Sequence, residues 1–207
     1  GYGGDPVFAR SRFKSVAQTL KEVPVVSAAL GPVAGLPASR FVGSHFRIMV
    51  KDNAQILVAG PAVVSRAFGK DFTKEELGGS DVHKKNGVTD NIADSEEDAF
   101  NQIKKFLSFF PANIYELPPK KDSKDETGRS EKILEEIIPK DRKKTYEMRE
   151  IINLVVDDKD FFEISNFFGR GIITGFARLN GFSVGIFAND SNFYAGSMTA
   201  DNAKKTT

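Results

Sequence analysis

The sequence predicts an α/β fold, and three observations carry that prediction. Short β-branched runs alternate with amphipathic helical segments along the chain. The apolar run at residues 23–30 stops at Gly31-Pro32, and a small-residue helix follows at once. A mostly charged stretch, residues 120–132, splits the chain into a longer first part and a shorter second part. With 207 residues, 40% of them hydrophobic, there is material for one domain or one and a half around a sizeable core.

The elements follow in order. Val7, Phe8, Val16, Ala17 and Leu20 recur at helical spacing within residues 6–20. Residues 23–30 read as a buried strand, and the helix from Gly35 runs to Gly43. Residues 46–50 and 55–58 read as strands joined by Lys51-Asp52-Asn53. Ala59-Gly60-Pro61 ends the second of these, and a helix through Val63, Val64 and Ala67 follows. Thr73 and Glu76 form a capping box for a short helix that stops at Gly78-Gly79. Ser95 caps a helix whose apolar face is Phe100, Ile103, Phe106, Leu107 and Phe110, and Pro111 ends it. Beyond the charged stretch, Met148, Ile151, Ile152 and Val155 mark another helix face. Phe161, Phe162 and Ile164 come next. Residues 172–179 and 183–188 then flank Asn180-Gly181, the residue pair that a two-residue hairpin turn prefers because both positions need positive φ. The chain starts without Met, and both ends read as cuts within a longer protein.

Composition removes several function classes. The 29 basic and 28 acidic residues leave a net charge of +1, which argues against nucleic acid as the main partner. The absence of cysteine excludes thiol nucleophiles and Cys-based zinc sites. No apolar run reaches the length of a membrane span. His45 and His83 have no HxxxH or HExxH spacing, so no metal site is expected. His45 reads as a packing or partly exposed residue, and His83 as part of a loop. Asp157-Asp158 and Glu96-Glu97-Asp98 read as solvated surface charge, and Gly78-Gly79 as a cap and turn. No GxSxG, GxGxxG or Walker pattern is present.

Two turns remain as candidate sites. At Gly35, a strand-to-helix turn with small neighbours can aim the N–H groups of Gly35 and Leu36 at an oxyanion. The same glycine can instead serve close strand–helix packing, which spacing alone favours. Ala59-Gly60-Pro61 can line a crevice at the carboxyl end of its strand, or be a simple turn.

Six blocks in order give the chain a family likeness. Gly31-Pro32-Val33-Ala34-Gly35 follows an apolar strand, and residues 57–64 read LVAGPAVV. Glu75 to His83 reads EELGGSDVH, with Gly87-Val88 after it. Tyr146 to Ile152, Val155 to Glu163 and Gly175 to Gly185 complete the series. This order resembles the carboxyltransferase component of biotin-dependent acyl-CoA carboxylases, the β-type subunits that act on propionyl-, acetyl- or methylcrotonyl-CoA.

The resemblance implies a crotonase-like fold of repeated ββα units. Residues 1–115 would be the later part of the first carboxyltransferase domain, 116–144 a charged linker, and 145–207 the start of a second. It implies carboxyl transfer from carboxybiotin to the α-carbon of an acyl-CoA, with no metal bound by this chain. The backbone N–H groups of Gly35 and Leu36 would form the first-domain oxyanion hole, facing the biotin carbonyl. Ala34, Ala59, Gly60 and Pro61 would line the substrate site. The second hole would lie after Thr207, so the chain alone would not catalyse. Implied partners are a biotin carboxylase and biotin carrier subunit, and further copies of the carboxyltransferase in a hexamer. Implied locations are intracellular: the mitochondrial matrix in a eukaryote, the cytoplasm in a bacterium. One residue departs from the family pattern, since Leu36 stands where a second glycine is usual. It keeps a backbone N–H but adds bulk and disfavours positive φ. A decarboxylase of the same family and a non-catalytic thioester-binding homologue stay open as alternatives.

Overall fold

The computed structural model describes residues 13–126, 128–141 and 143–207. Its first part repeats a strand–strand–helix unit. After helix α1 (Phe13–Glu22), the first unit is β1 (Val26–Ala29), β2 (Pro32–Ala34) and α2 (Leu36–Val42). The second is β3 (Phe46–Val50), β4 (Gln55–Leu57) and α3 (Pro61–Phe68). Each unit gives one strand to each of two sheets. β1 pairs with β3 in parallel, with Val26 opposite Phe46. β2 pairs with β4 in parallel, with Ala34 opposite Leu57. Such pairing buries consecutive apolar residues on both faces, which is why Ile48, Met49 and Val50 are all buried.

Two short helices, α4 (Lys74–Gly78) and α5 (Ser80–Asn86), lead to β5 (Asn91–Ala93), which extends the first sheet beyond β3. The capping box of α4 is formed: Thr73 Oγ1 accepts the Glu76 N–H at 3.1 Å, and Glu76 accepts the Thr73 N–H at 2.8 Å. Helix α6 (Glu96–Leu107) starts at Ser95, whose Oγ accepts the Asp98 N–H. Its core face is Ile103, Phe106 and Leu107, continued by Phe110. Phe100, expected on that face, is 48% exposed, and Phe109 beyond the helix is buried instead.

The second part is α7 (Met148–Val155), an antiparallel sheet and a final helix, α8 (Ala200–Thr206). The sheet runs β6 (Phe162–Ile164), β7 (Ile172–Leu179), β8 (Phe182–Asn189), in that order. Asn180 and Gly181 turn the β7–β8 hairpin with φ of 49° and 79°, as that turn type requires. The core is continuous between the two parts. Phe46 and Phe106 stack at 4.6 Å, and Phe162 and Phe176 of the second part pack edge-on against them at 5.8 and 5.9 Å. Such pairs contribute about 0.5–1.5 kcal/mol each beyond area burial.

The charged stretch is not free of contacts. Arg129 donates to the Leu154 and Val156 carbonyls at 2.7 and 3.2 Å, and pairs with Asp125 and Glu131. Gly181 approaches the Lys121 backbone so closely that an added Cβ would lie 1.9 Å from its carbonyl oxygen. β2 and α5 stand where the sequence suggested a turn and a loop, and β5 and α8 are elements for which it gave no expectation. Val7 and Phe8 of the expected first helix lie outside the described residues.

Candidate functional site

The ββα repeat brings the two candidate turns together. Because β2 and β4 are paired neighbours, the β2–α2 turn at Gly35 lies beside the β4–α3 turn at Ala59-Gly60-Pro61. Ala34, Gly35 and Leu36 are exposed, and Ala59, Gly60 and Pro61 are half-exposed. Apolar side chains flank the pair: Leu36 is 52% exposed, Val63 65% and Val58 96%.

The donors differ from the expected pair. The Gly35 N–H already donates to the Leu57 carbonyl at 3.1 Å, so it is not free for a ligand. The extension of the β2–β4 ladder by one residue is the physical reason. Leu36 N–H and Ala38 N–H have no hydrogen-bond partner among the described residues, and Pro37 has no N–H to offer. Gly35 has φ 68° and ψ −130°, a conformation that a side chain disfavours. An added Cβ there would meet nothing within 4 Å. The glycine is therefore required by backbone conformation, not by close packing. Leu36 is the first helical residue and is not among the positive-φ positions, so its side chain costs the turn nothing.

The histidines are structural. His83 is buried, its Nε2 lies 2.8 Å from the Ile56 carbonyl oxygen, and its Nδ1 lies 3.3 Å from Asn86 Nδ2. His45 Nδ1 accepts the Val25 N–H at 2.9 Å. Gly78 is buried against β4, where an added Cβ would lie 2.0 Å from the Ile56 carbonyl oxygen. Gly79 ends α4 and begins α5.

Two charged centres escaped the sequence reading. Asp157, expected to be solvated, is buried, and its carboxylate accepts the Asn180 and Gly181 N–H groups at 2.9 and 2.7 Å. Burial acts to raise its pKa, but the N–H groups of Gly181 and Asn180, then Ser123 and Arg129, outweigh it, and the carboxyl sits below its ordinary value. Arg149 forms a fork on Glu163 at 2.8 and 2.6 Å and reaches the buried Asp190 at 2.5 Å. Its hydrogen bonds to Glu163, and then to Asp190, outweigh burial and push its pKa up. Nearby, burial pushes Lys205 down to about 8, and its Nζ donates to the Ser165 and Ile172 carbonyls. No single residue signalled these centres, because each joins residues far apart in the chain. Among the described residues, no group of His, Asp and Glu could hold a metal ion. No helix among them is long and apolar enough to cross a membrane.

A carboxyl transferase domain model matches residues 10–207. The chain belongs to the carboxyl transferase domain family. The propionyl-CoA carboxylase carboxyltransferase subunit of Haloferax mediterranei is 36% identical over 88% of this chain and 36% of its own length. The methylmalonyl-CoA decarboxylase subunit alpha of Veillonella parvula is 34% identical over 89% of this chain and 36% of its own length. A transcarboxylase 12S structure, a hexamer with methylmalonyl-CoA and methylmalonic acid bound, superposes with a TM-score of 0.88. It is 31% identical and covers 93% of this chain and 37% of its own. The mixed α/β class and the family expected from the six blocks are thus found. The chain spans 36% of the length of these two curated relatives.

The blocks behind that likeness have physical roles here. Arg149 and Glu163 join the Tyr146 block to the Val155 block. Asp157 joins the Val155 block to the hairpin turn inside the Gly175 block. Gly78 and His83 join the Glu75 block to Ile56 of β4.

Proposed function

We propose that the chain is part of the carboxyltransferase component of a biotin-dependent acyl-CoA carboxylase, transferring a carboxyl group to the α-carbon of an acyl-CoA. Family membership over residues 10–207 supports this reaction class. The geometric observation that carries the reading is the unpartnered Leu36 N–H on an exposed turn. It is a preformed donor for a carbonyl oxygen that gains negative charge as the reaction proceeds. Gly35 acts by conformation, holding that donor outward while its own N–H anchors the turn to Leu57. Ala34, Ala59, Gly60 and Pro61 line the same mouth. An added Cβ at Gly35 or Gly60 would meet nothing within 4 Å, so a ring or thioester can approach both turns. These residues fit a biotin ureido carbonyl, and biotin, carried on a partner protein or domain, supplies the carboxyl group when bound.

Residues 1–115 and 145–207 belong, on this reading, to two carboxyltransferase domains joined by the charged stretch. The ββα repeat in one and the antiparallel sheet in the other support that division. The assembly is a hexamer with a biotin carboxylase and biotin carrier partner, and it works inside the cell, in the mitochondrial matrix or the bacterial cytoplasm. A transcarboxylase relative that is a hexamer, and mitochondrial and bacterial carboxylase relatives, support this. The Veillonella relative favours one alternative, a subunit that decarboxylates an acyl-CoA instead.

The test uses the assembled full-length protein with free biotin and malonyl- or methylmalonyl-CoA. Biotin-dependent release of CO2 is expected. No turnover while the CoA thioester still binds would overturn the enzymatic reading and leave a thioester-binding homologue.

A further inference from the structure

We infer that His83 is the positioning residue that sets the paired turns, through a one-way hydrogen-bond relay ending on β4. The inference rests on the proposed role of those turns. Val88 N–H donates to Asn86 Oδ1 at 3.1 Å, which fixes the direction of the Asn86 amide. Asn86 Nδ2 therefore faces His83 Nδ1, 3.3 Å away, as the donor. Nδ1 must accept, so the neutral imidazole carries its proton on Nε2. That nitrogen lies 2.8 Å from the Ile56 carbonyl oxygen, which can only accept. The relay thus admits one tautomer.

The relay ends one residue from the site. Ile56 O accepts from His83 Nε2–H, and the next carbonyl, Leu57 O, accepts from the Gly35 N–H. Consecutive carbonyls of a strand point to opposite sides, so β4 is held from both. Gly78 leaves no room for Ile56 to shift toward α4, since even a Cβ would lie 2.0 Å from its oxygen. Among the described residues, His83 is the only side chain bonded to the Ile56 oxygen. Without that bond β4 keeps its ladder to β2 and the Gln55–Gly79 bridge but loses the tie at Ile56, next to Leu57, and the Gly35 anchor on Leu57 loosens. Leu36, the next residue, then loses its fixed direction. His83 touches no substrate on this account and acts through Ile56 and Leu57.

The experiment is solution NMR on the whole 207-residue chain as wild type, His83→Phe and His83→Gln. In the wild type the imidazole nitrogen shifts are expected to report the Nε2–H tautomer, and the Gly35 amide to exchange slowly. His83→Phe fills the space but offers no donor. It is expected to speed Gly35 exchange by about tenfold and move the Leu36 amide resonance, with the β7–β8 hairpin unchanged. His83→Gln offers a donor again and is expected to restore most of the protection. An Nδ1–H tautomer overturns the inference. So does unchanged Gly35 exchange in His83→Phe, or an equal rise in the hairpin, which would mark general destabilisation. If His83→Phe does not fold, the wild-type tautomer and the protection of Gly35 in His83→Gln decide it in the same senses. Carboxyl transfer is not read here, so loss of the proposed reaction and loss of the relay are separate results.

Discussion

Replacing Gly78 by alanine tests the packing that underlies the paired turns. The added methyl carbon would sit 2.0 Å from the Ile56 carbonyl oxygen, 2.8 Å from Leu57 Cδ2 and 2.9 Å from the Ile56 carbonyl carbon. Contacts under 3.0 Å are essentially never observed for a real Cβ, so α4 and β4 must part by about 1 Å. Two of the opposing atoms are backbone, so no rotamer change relieves the clash. Overpacking of this kind costs about 1–3 kcal/mol. Displacing Ile56 also breaks its bond to His83, at about 1 kcal/mol. The sum is about 2–4 kcal/mol, which lowers Tm by about 5–15 °C for a chain of this size. Thermal unfolding followed by circular dichroism measures it. Gly60→Ala is the control, because φ there is −69° and an added Cβ meets nothing within 4 Å. A Gly78→Ala chain melting within about 2 °C of wild type would refute the reasoning.

Two further outcomes follow from the charged centres. Arg149→Met leaves Glu163 and the buried Asp190 without their cation; with Arg149 itself 34% exposed, a loss of about 2–4 kcal/mol is expected in urea unfolding. A loss below about 0.5 kcal/mol would show that water already serves both carboxylates. Asp157→Asn removes one of two acceptors for the hairpin turn and should cost about 1–3 kcal/mol at neutral pH. The folded Asp157 pKa lies below its unfolded value of about 4, so its stabilisation is complete above that pH and fades as pH falls through the folded value. The difference between wild type and Asp157→Asn should therefore shrink on acidification below about pH 4, and a constant difference would contradict the assignment.

What the sequence made legible was periodic or local. Thr73 with Glu76, Ser95, and Asn180-Gly181 each announce themselves within a few residues, and the structure has all three motifs. β2 and β5 were not legible, because Pro32 opens the first and Asn91-Ile92-Ala93 carries no β-branched run to mark the second. α5 was hidden by Gly79, which reads as a terminator while it also starts a helix. At the site, the two turns were identified singly, but their adjacency comes from the β2–β4 pairing, which lies between residues 23 positions apart such as Pro32 and Gln55. The partner of the Gly35 N–H was hidden for the same reason: it is Leu57 of the next repeat. Asp157 read as surface charge because nothing local shows that a hairpin turn comes to rest on it.

The most direct test of the account is the rate of carboxyl transfer by the assembled full-length enzyme carrying Leu36→Pro. Proline at the first position of a helix is tolerated, and the change deletes the one N–H on which the proposed chemistry rests. With an unchanged circular dichroism spectrum and melting curve, kcat is expected to fall by about 10²–10³-fold. A folded Leu36→Pro enzyme that keeps the wild-type kcat would contradict the account.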